Sequence, residues 1–427
     1  MLKRIRIERL FDRFDYDINI SNSNVTIITG PNGFGKSTIL NIINSFSATE
    51  LMFFYDLDFK VISLFFDNEI SISLRKQDDT LSFQKFTDAL SFKEYNKLLR
   101  FPFIKRMYVP YYVDHGSMKH YNEENLWESI IGTAEFNNIC ADLSINEKTF
   151  KNFKDILIKI KKLIGEVRYI SEQRLLRKEA IKPPEYRPGE QDSRFVEVVS
   201  ELPEKLQKEI NTISSRYSEV ANKLDSTYPK RLLATEEGIK SKEEFEQRLE
   251  EANNKFNKLS RYELADMIFI ENSEYDQKYA EALKIYFDDF SAKYEVFEPL
   301  INKLDLFTQI INERLTFKKI QITKKKGFQV VDRDNSAKTI ELNKLSSGEK
   351  QEIVLFYDLI FNTHSNLVLL IDEPEISLHI LWQNNFMNDL LKITSNSNLQ
   401  VIVATHSPQI INNHWDIQVD LGEKYGS

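Results

Sequence analysis

The chain is 427 residues long, 41% hydrophobic and 29% charged, with 30 Phe and 18 Tyr, enough for one large core plus a smaller module and unlike a disordered chain. Its net charge of −8 argues against a surface that tracks nucleic acid throughout, while leaving room for a local basic patch. A single cysteine, Cys140, excludes an internal disulfide and a Cys-rich zinc site and fits a reducing cytoplasm, and no apolar run approaches the ~18 residues a membrane span needs.

The opening residues are basic but no apolar stretch follows them, so they do not read as a signal peptide. Alternation at Ile5 and Ile7, then over residues 16–20, then an apolar run at 25–28, predicts strands. That run leads into GPNGFGKST (30–38) and the apolar-periodic ILNIINSF, which is strand, Gly-rich loop, helix. Residues 59–66 and 70–74 predict a hairpin around Asp67, Asn68 and Glu69. The middle, 90–310, is helix-rich and charged, interrupted by EVRYI (166–170), read as a buried strand, and by the loop KPPEYRPGE (182–190). Phe245, Leu249, Ala252, Phe256 and Leu259 repeat at coiled-coil spacing, and so do Tyr279, Leu283, Tyr286, Phe290, Tyr294 and Phe297. These two stripes predict a short antiparallel helical hairpin, with arms of roughly 60 Å at 1.5 Å per residue. Pro299 is expected to end or kink the second helix.

From 311 the pattern turns β/α again: a Lys-rich strand pair around Gly327, a helix at 347–361, a strand at 367–371, another helix, a strand at 399–404 and a short strand near 417–421. The basic cluster 318–326 reads as a solvated hairpin face.

Four segments carry chemistry. GPNGFGKS satisfies G-x-x-x-x-G-K-[ST], so Gly30, Pro31, Asn32, Gly33, Phe34, Gly35, Lys36, Ser37 and Thr38 form a candidate ATP loop. Its backbone N–H groups and the following helix N-terminus suit phosphates, Lys36 adds a point charge, and the Ser37 hydroxyl suits Mg²⁺. LVLLIDEPEISLH is an apolar strand ending in acids: Asp372 for Mg²⁺ and Glu373 to orient or deprotonate water, with Glu375 a competing base that reads better as a helix N-terminal acid. In LSSGEKQ, Ser346, Ser347, Gly348 and Glu349 open a helix as an anion cradle; alone, this is no more than a helix cap. VIVATHSPQII ends a strand at His406, which can reach a γ-phosphate.

Together GPNGFGKST, LSSGE, LLIDEPEISLH and THSP resemble the ABC-type ATPases of the SMC and RecF kind, over roughly 1–95 and 311–427. The resemblance implies an α/β fold, a mixed-sheet P-loop head assembled from 1–95 and 311–427, with 96–310 a helical insertion ending in the coiled-coil hairpin and strand 166–170 returning to the head. It implies ATP hydrolysis with Mg²⁺, Glu373 and His406 as catalytic residues, and a homodimer, or a larger oligomer, through ATP-sandwiched heads. Ser346, Ser347, Gly348 and Glu349 would then act in trans. Within that class, IERLFDRFDYDI, DEPEISLH and LDSTYPKRLL (224–233) look like the stand-alone ATPases of bacterial anti-phage defence, the Septu, PARIS and retron-linked kinds. That narrower likeness implies a cytoplasmic ATPase that senses infection and controls a separate nuclease or toxin subunit, since the six histidines and one cysteine make no nuclease constellation. Direct nucleic-acid contact stays open; no membrane contact is expected. The rival readings are a RecF-like DNA-repair ATPase and a transporter ATPase subunit, and the long separation of Lys36 from Ser346 disfavours the second. Ser347 stands where a glycine is usual, and no glutamine linking Mg²⁺ to the helical part can be assigned beyond the nominees Gln77 and Gln84, which leaves slow or conditional hydrolysis open. Arg13 and Phe14 are nominated for adenine by position.

Overall fold

The computed structural model describes residues 1–20, 24–83, 89–101, 104, 110–111, 120–121, 133–171, 175–180, 193–264, 274–363, 366–376, 378–395 and 399–423. In chain order these give β1 (Leu2–Leu10), β2 (Phe14–Asn19), β3 (Val25–Thr29), α1 (Lys36–Ser47), α2 (Leu51–Asp56), β4 (Val61–Phe66), β5 (Ser71–Gln77), β6 (Thr80–Phe83), β7 (Ala89–Ser91) and α3 (Phe92–Arg100). Then come β8 (Pro110–Tyr111), β9 (His120–Tyr121), α4 (Ala134–Leu143), α5 (Glu147–Ile164), β10 (Glu166–Ile170), β11 (Leu176–Ala180), β12 (Ser193–Glu197), α6 (Leu202–Ala234), α7 (Lys242–Arg261) and α8 (Ala280–Arg314). The rest is β13 (Lys318–Thr323), β14 (Gly327–Asp332), β15 (Thr339–Ile340), α9 (Ser347–Phe361), β16 (Leu367–Asp372), α10 (Ile380–Thr394), β17 (Gln400–Ala404), α11 (Pro408–Ile411) and β18 (Gln418–Asp420). The fold is mixed α/β, in two compact units: 1–196 with 363–427, and 197–362. No helix among the described residues is long and apolar enough to cross a membrane.

The first unit is built on two sheets. One is antiparallel, in the order β2-β1-β4-β5-β6-β7; the other runs β10-β16-β17-β3-β18, and its described ladders are parallel. The two patterns are legible residue by residue. In β2, FDYDIN, buried and exposed positions alternate, as a strand with one solvated face requires. β3, β16 and β17 are buried at every position, matching their largely apolar sequences, because helices and the other sheet cover both faces. A single core cluster links Ile39, Ile43 and Phe46 of α1 to Ile5 and Ile7 of β1, Phe150 and Phe153 of α5, and Val368 and Leu370 of β16. Cys140 is buried in it, as a small apolar residue would be. EVRYI is β10, an edge strand in register with β16, and only its Ile170 is fully buried. KPPEYRPGE lies outside the described residues.

The second unit corrects the expected helix pairing. Arg231 bonds Asp289, Lys293 bonds Asp225, and the Tyr217 ring packs on Phe297. Numbers rise on one helix as they fall on the other, so the antiparallel pair is α6 with α8. Arg248–Asp288, Lys255–Ser291 and Arg261–Asp305 rise together, so α7 runs parallel to α8. The two apolar stripes therefore meet, but side by side and not as the two arms of one turn. Pro299 does not end α8, which continues to Arg314. A proline inside a helix costs about 3 kcal/mol; burial of Phe297, Leu300, Ile301, Leu304 and Phe307 around it contributes roughly 1.5–3 kcal/mol per side chain and outweighs that. The Lys-rich pair forms the β13–β14 hairpin, joined by β15.

Candidate functional site

Register brings three loops to one edge. Ile28 of β3 stands beside Ala404 of β17, and Ala404 beside Asp372 of β16. The chain thus leaves these neighbouring strands into GPNGFGKS, EPE and THSP at the carboxyl ends of a parallel sheet, where α/β folds bind ligands.

The phosphate loop needs its glycines. Gly35, the N-cap of α1, has φ +86°, and a Cβ there would sit 2.9 Å from Leu10 Cδ2 and 3.2 Å from a Phe11 ring carbon. Lys36 is buried, its Nζ donating to the carbonyls of Gly30 at 2.9 Å and Pro31 at 3.3 Å, so the ammonium lies inside the curl of the loop. Tyr16 of β2 donates to the Phe34 carbonyl at 2.7 Å and braces the loop from below. Pro31, Asn32 and Gly33 are exposed, and no acid occupies the first turn of α1, which leaves the helix N-terminus hospitable to anions. Thr38 follows in that turn, half-buried.

Ser37 and Asp372, 335 positions apart, meet: Ser37 Oγ donates to Asp372 Oδ1 at 3.0 Å. Tyr169 of β10 donates to Asp372 Oδ2 at 2.8 Å, so each carboxylate oxygen is held. Tyr169 was not singled out from sequence; only the β10–β16 register, Tyr169 beside Leu370, reveals it. Two hard oxygens 3.0 Å apart fit Mg²⁺, because adjacent ligands of an octahedral ion at ~2.1 Å stand about 3.0 Å apart.

Beyond Asp372 the backbone turns sharply. Glu373 has φ +42°, a left-handed conformation uncommon outside glycine, and its N–H donates to the Ala404 carbonyl at 2.9 Å. Its carboxylate stands 3.7 Å from His406 Nδ1. Glu375 is not the helix N-terminal acid expected. α10 starts only at Ile380, and Glu375 is 6% exposed, its Oε1 accepting from Thr405 Oγ1 at 2.6 Å and from the His406 N–H at 2.9 Å. His406 itself is exposed at the sheet edge.

The nominated adenine contacts divide. Phe14 is turned inward against Tyr16 and Phe34, with the Arg13 guanidinium over its ring, so the exposed aromatic beside the loop is Phe11, 40% accessible. Gln77 pairs with Thr80 in the antiparallel β5–β6 hairpin and does not end a parallel strand; Gln84 lies outside the described residues.

In the second unit, Ser346 caps α9 and forms a reciprocal box with Glu349: Glu349 N–H donates to Ser346 Oγ at 3.3 Å, and Ser346 N–H to Glu349 Oε2 at 2.8 Å. Ser347 and Gly348 complete the first turn. Lys318 binds both Glu349 oxygens, at 2.9 and 2.8 Å. Burial works to raise the Glu349 carboxyl, but the bonds from Lys318 and Ser346 prevail and hold it below its ordinary range. The Glu349 charge at the start of α9 is thereby paired with Lys318. The Lys318 end of the basic cluster is therefore an ion-pair partner of Glu349.

A family model described as AAA ATPase domain matches residues 1–411. The chain belongs to that family. The matched span takes in the Gly30–Thr38 loop, Asp372 and His406. Among solved structures the chain is similar to the Smc head domain of Pyrococcus furiosus, with extended coiled coil and bound to the C-terminal domain of ScpA, at 12% identity over 96% of this chain and 91% of that one, TM-score 0.37. It is also similar to the SMC head domain of Thermotoga maritima, at 12% identity over 96% and 90%, TM-score 0.33. A search among curated proteins gave no match.

Proposed function

We propose that this AAA-family ATPase binds Mg-ATP at Gly30–Thr38, hydrolyses it with Glu373 and His406, and closes each site with Ser346, Ser347, Gly348 and Glu349 of a second copy. The carrying observation is the Ser37–Asp372 hydrogen bond of 3.0 Å, beside the buried Lys36 and below Glu373 and His406. In this reading 1–95 and 311–427 act as the ATPase head and 96–310 as its helical insertion. Ser37 and Asp372 would hold Mg²⁺, which would supply positive charge against the triphosphate. Lys36 swings from its carbonyl partners to the same phosphates, the loop N–H groups orient them, Glu373 takes a proton from the attacking water, and His406 steadies the γ-phosphate.

The cellular role follows the narrower likeness: a cytoplasmic defence ATPase whose nucleotide state governs a separate nuclease or toxin. What supports it is the likeness carried by IERLFDRFDYDI, DEPEISLH and LDSTYPKRLL. In the last of these Arg231 bonds Asp289 twice at 2.6 Å and reaches the Leu224 carbonyl at 2.9 Å, bracing α6 around Pro229, which lies inside the helix.

Mixing Ser346→Arg chains with Lys36→Ala chains tests the composite site. Each variant alone should be inactive, and a mixed dimer should regain one working site; mixed dimers without turnover would refute the trans arrangement. In cells, phage should plate several orders of magnitude less efficiently with the wild-type locus than with Lys36→Ala. Equal plating refutes the defence role and leaves the ATPase reading intact.

A further inference from the structure

Glu375 is a buried carboxylate that the hydrolytic reading leaves without a task. Its surroundings are specific. Oε1 takes the Thr405 hydroxyl at 2.6 Å and the His406 backbone N–H at 2.9 Å, and it stands 3.3 Å from His406 Nδ1. Oε2 has no hydrogen-bond partner among the described residues. A second stitch runs alongside: Ser407 Oγ donates to Gln383 Oε1 at 2.8 Å, while Gln383 Nε2 donates to the Leu378 carbonyl at 3.0 Å and the Glu375 carbonyl at 3.4 Å. The acidic loop and the His loop are therefore one hydrogen-bonded body, with Thr405 and Glu375 both sealed from solvent.

We propose that Glu375 is the positioning residue of the hydrolytic site, holding the His loop by its backbone and fixing the imidazole so that Nδ1 carries the proton and faces the carboxylates while Nε2 faces outward. The inference rests on the reading of His406 as the γ-phosphate contact. Which ring nitrogen bears the proton is set by the bond the other makes. A neutral imidazole in water favours the proton on Nε2; a carboxylate at Nδ1 reverses that preference. With Nδ1 turned to the carboxylates, Nε2 is the nitrogen left to meet the nucleotide. Glu373, 3.7 Å from the same Nδ1, stays available for water because Glu375 is the nearer and better-held acid.

Nitrogen NMR of the full chain labelled at histidine, with His406 assigned by its loss in His406→Ala, reads the tautomer at about pH 9, where an ordinary imidazole is neutral. Wild type should show His406 protonated at Nδ1. Glu375→Ala should move the proton to Nε2 and lower kcat at least tenfold with the KM for ATP changed less than threefold. Glu375→Gln, whose amide oxygen still accepts, should restore most of both. A wild-type ring protonated at Nε2 overturns the proposal without any variant, and so does a Glu375→Ala chain with unchanged tautomer and kcat. Wild-type turnover in His406→Ala would instead sink the γ-phosphate reading, leaving the tautomer result to stand on its own.

Discussion

Glu352 is the most consequential buried acid outside the phosphate site, and removing its charge should change how stability depends on pH. It lies one turn beyond Glu349 in α9, 1% exposed, with neither carboxylate oxygen hydrogen-bonded among the described residues. Arg314 is buried nearby, but its guanidinium packs over Phe356 at 4.5 Å and donates to the Ile310 carbonyl at 2.7 Å. Burial pushes the Glu352 carboxyl from its ordinary 4.5 up to about 8, against the opposing charge of Arg314 and with a small push from Glu349. The acid is thus folded in its neutral form. Below 4.5 both folded and unfolded chains hold the proton and the full stability is present; as pH rises towards 8 only the unfolded chain releases it, so stability is lost through that window and levels off above it. At 1.36 kcal/mol per unit, the loss between about pH 5 and about pH 8 is roughly 3 kcal/mol. Glu352→Gln cannot ionise and should not suffer it. Measured by thermal unfolding, the variant should gain on the wild type by on the order of 10 °C between those pH values, at ~3 °C per kcal/mol for a unit of this size. Two melting curves that keep a constant separation across the range would refute the assignment of a neutral buried acid.

Further expectations concern Glu373, the proposed base, and one backbone contact. Glu373→Gln should keep ATP affinity within a few-fold but abolish turnover, and light scattering should find a larger assembly in ATP; hydrolysis at the wild-type rate rules Glu373 out as the base. Gly327→Ala should destabilise the 197–362 unit by at least about 2 kcal/mol, since its φ is +68° and a Cβ would lie 1.9 Å from the Pro203 carbonyl oxygen of α6. An unchanged denaturation midpoint for that unit would show that α6 yields freely at the contact.

The sequence by itself determined whatever is local. Predominantly apolar runs at 25–28, 367–371 and 401–404 specify strands buried on both faces, because no alternating strand could hide them, and alternation in 14–19 specifies a one-faced strand. The phosphate loop was legible because its chemistry depends on contiguous residues: two glycines at fixed spacing, a lysine and a hydroxyl. Ser346 and Glu349 were legible as a cap for the same reason, being three positions apart.

Only the tertiary structure decided what depends on partners far along the chain. Stripes at 245–259 and 279–297 say which helix faces are apolar but not the direction in which they meet; ion pairs such as Arg248–Asp288 and Arg261–Asp305 settle that as parallel. Tyr169 reaches Asp372 across 203 positions, and Glu375 reaches Thr405 across 30, each through a strand register that no local pattern encodes. Glu375 read as an exposed helix acid because a carboxylate after a strand is usually solvated. Its burial follows from the parallel pairing of β16 with β17, which brings the Thr405 hydroxyl and the His406 N–H to one oxygen and so offsets the cost of taking the charge out of water.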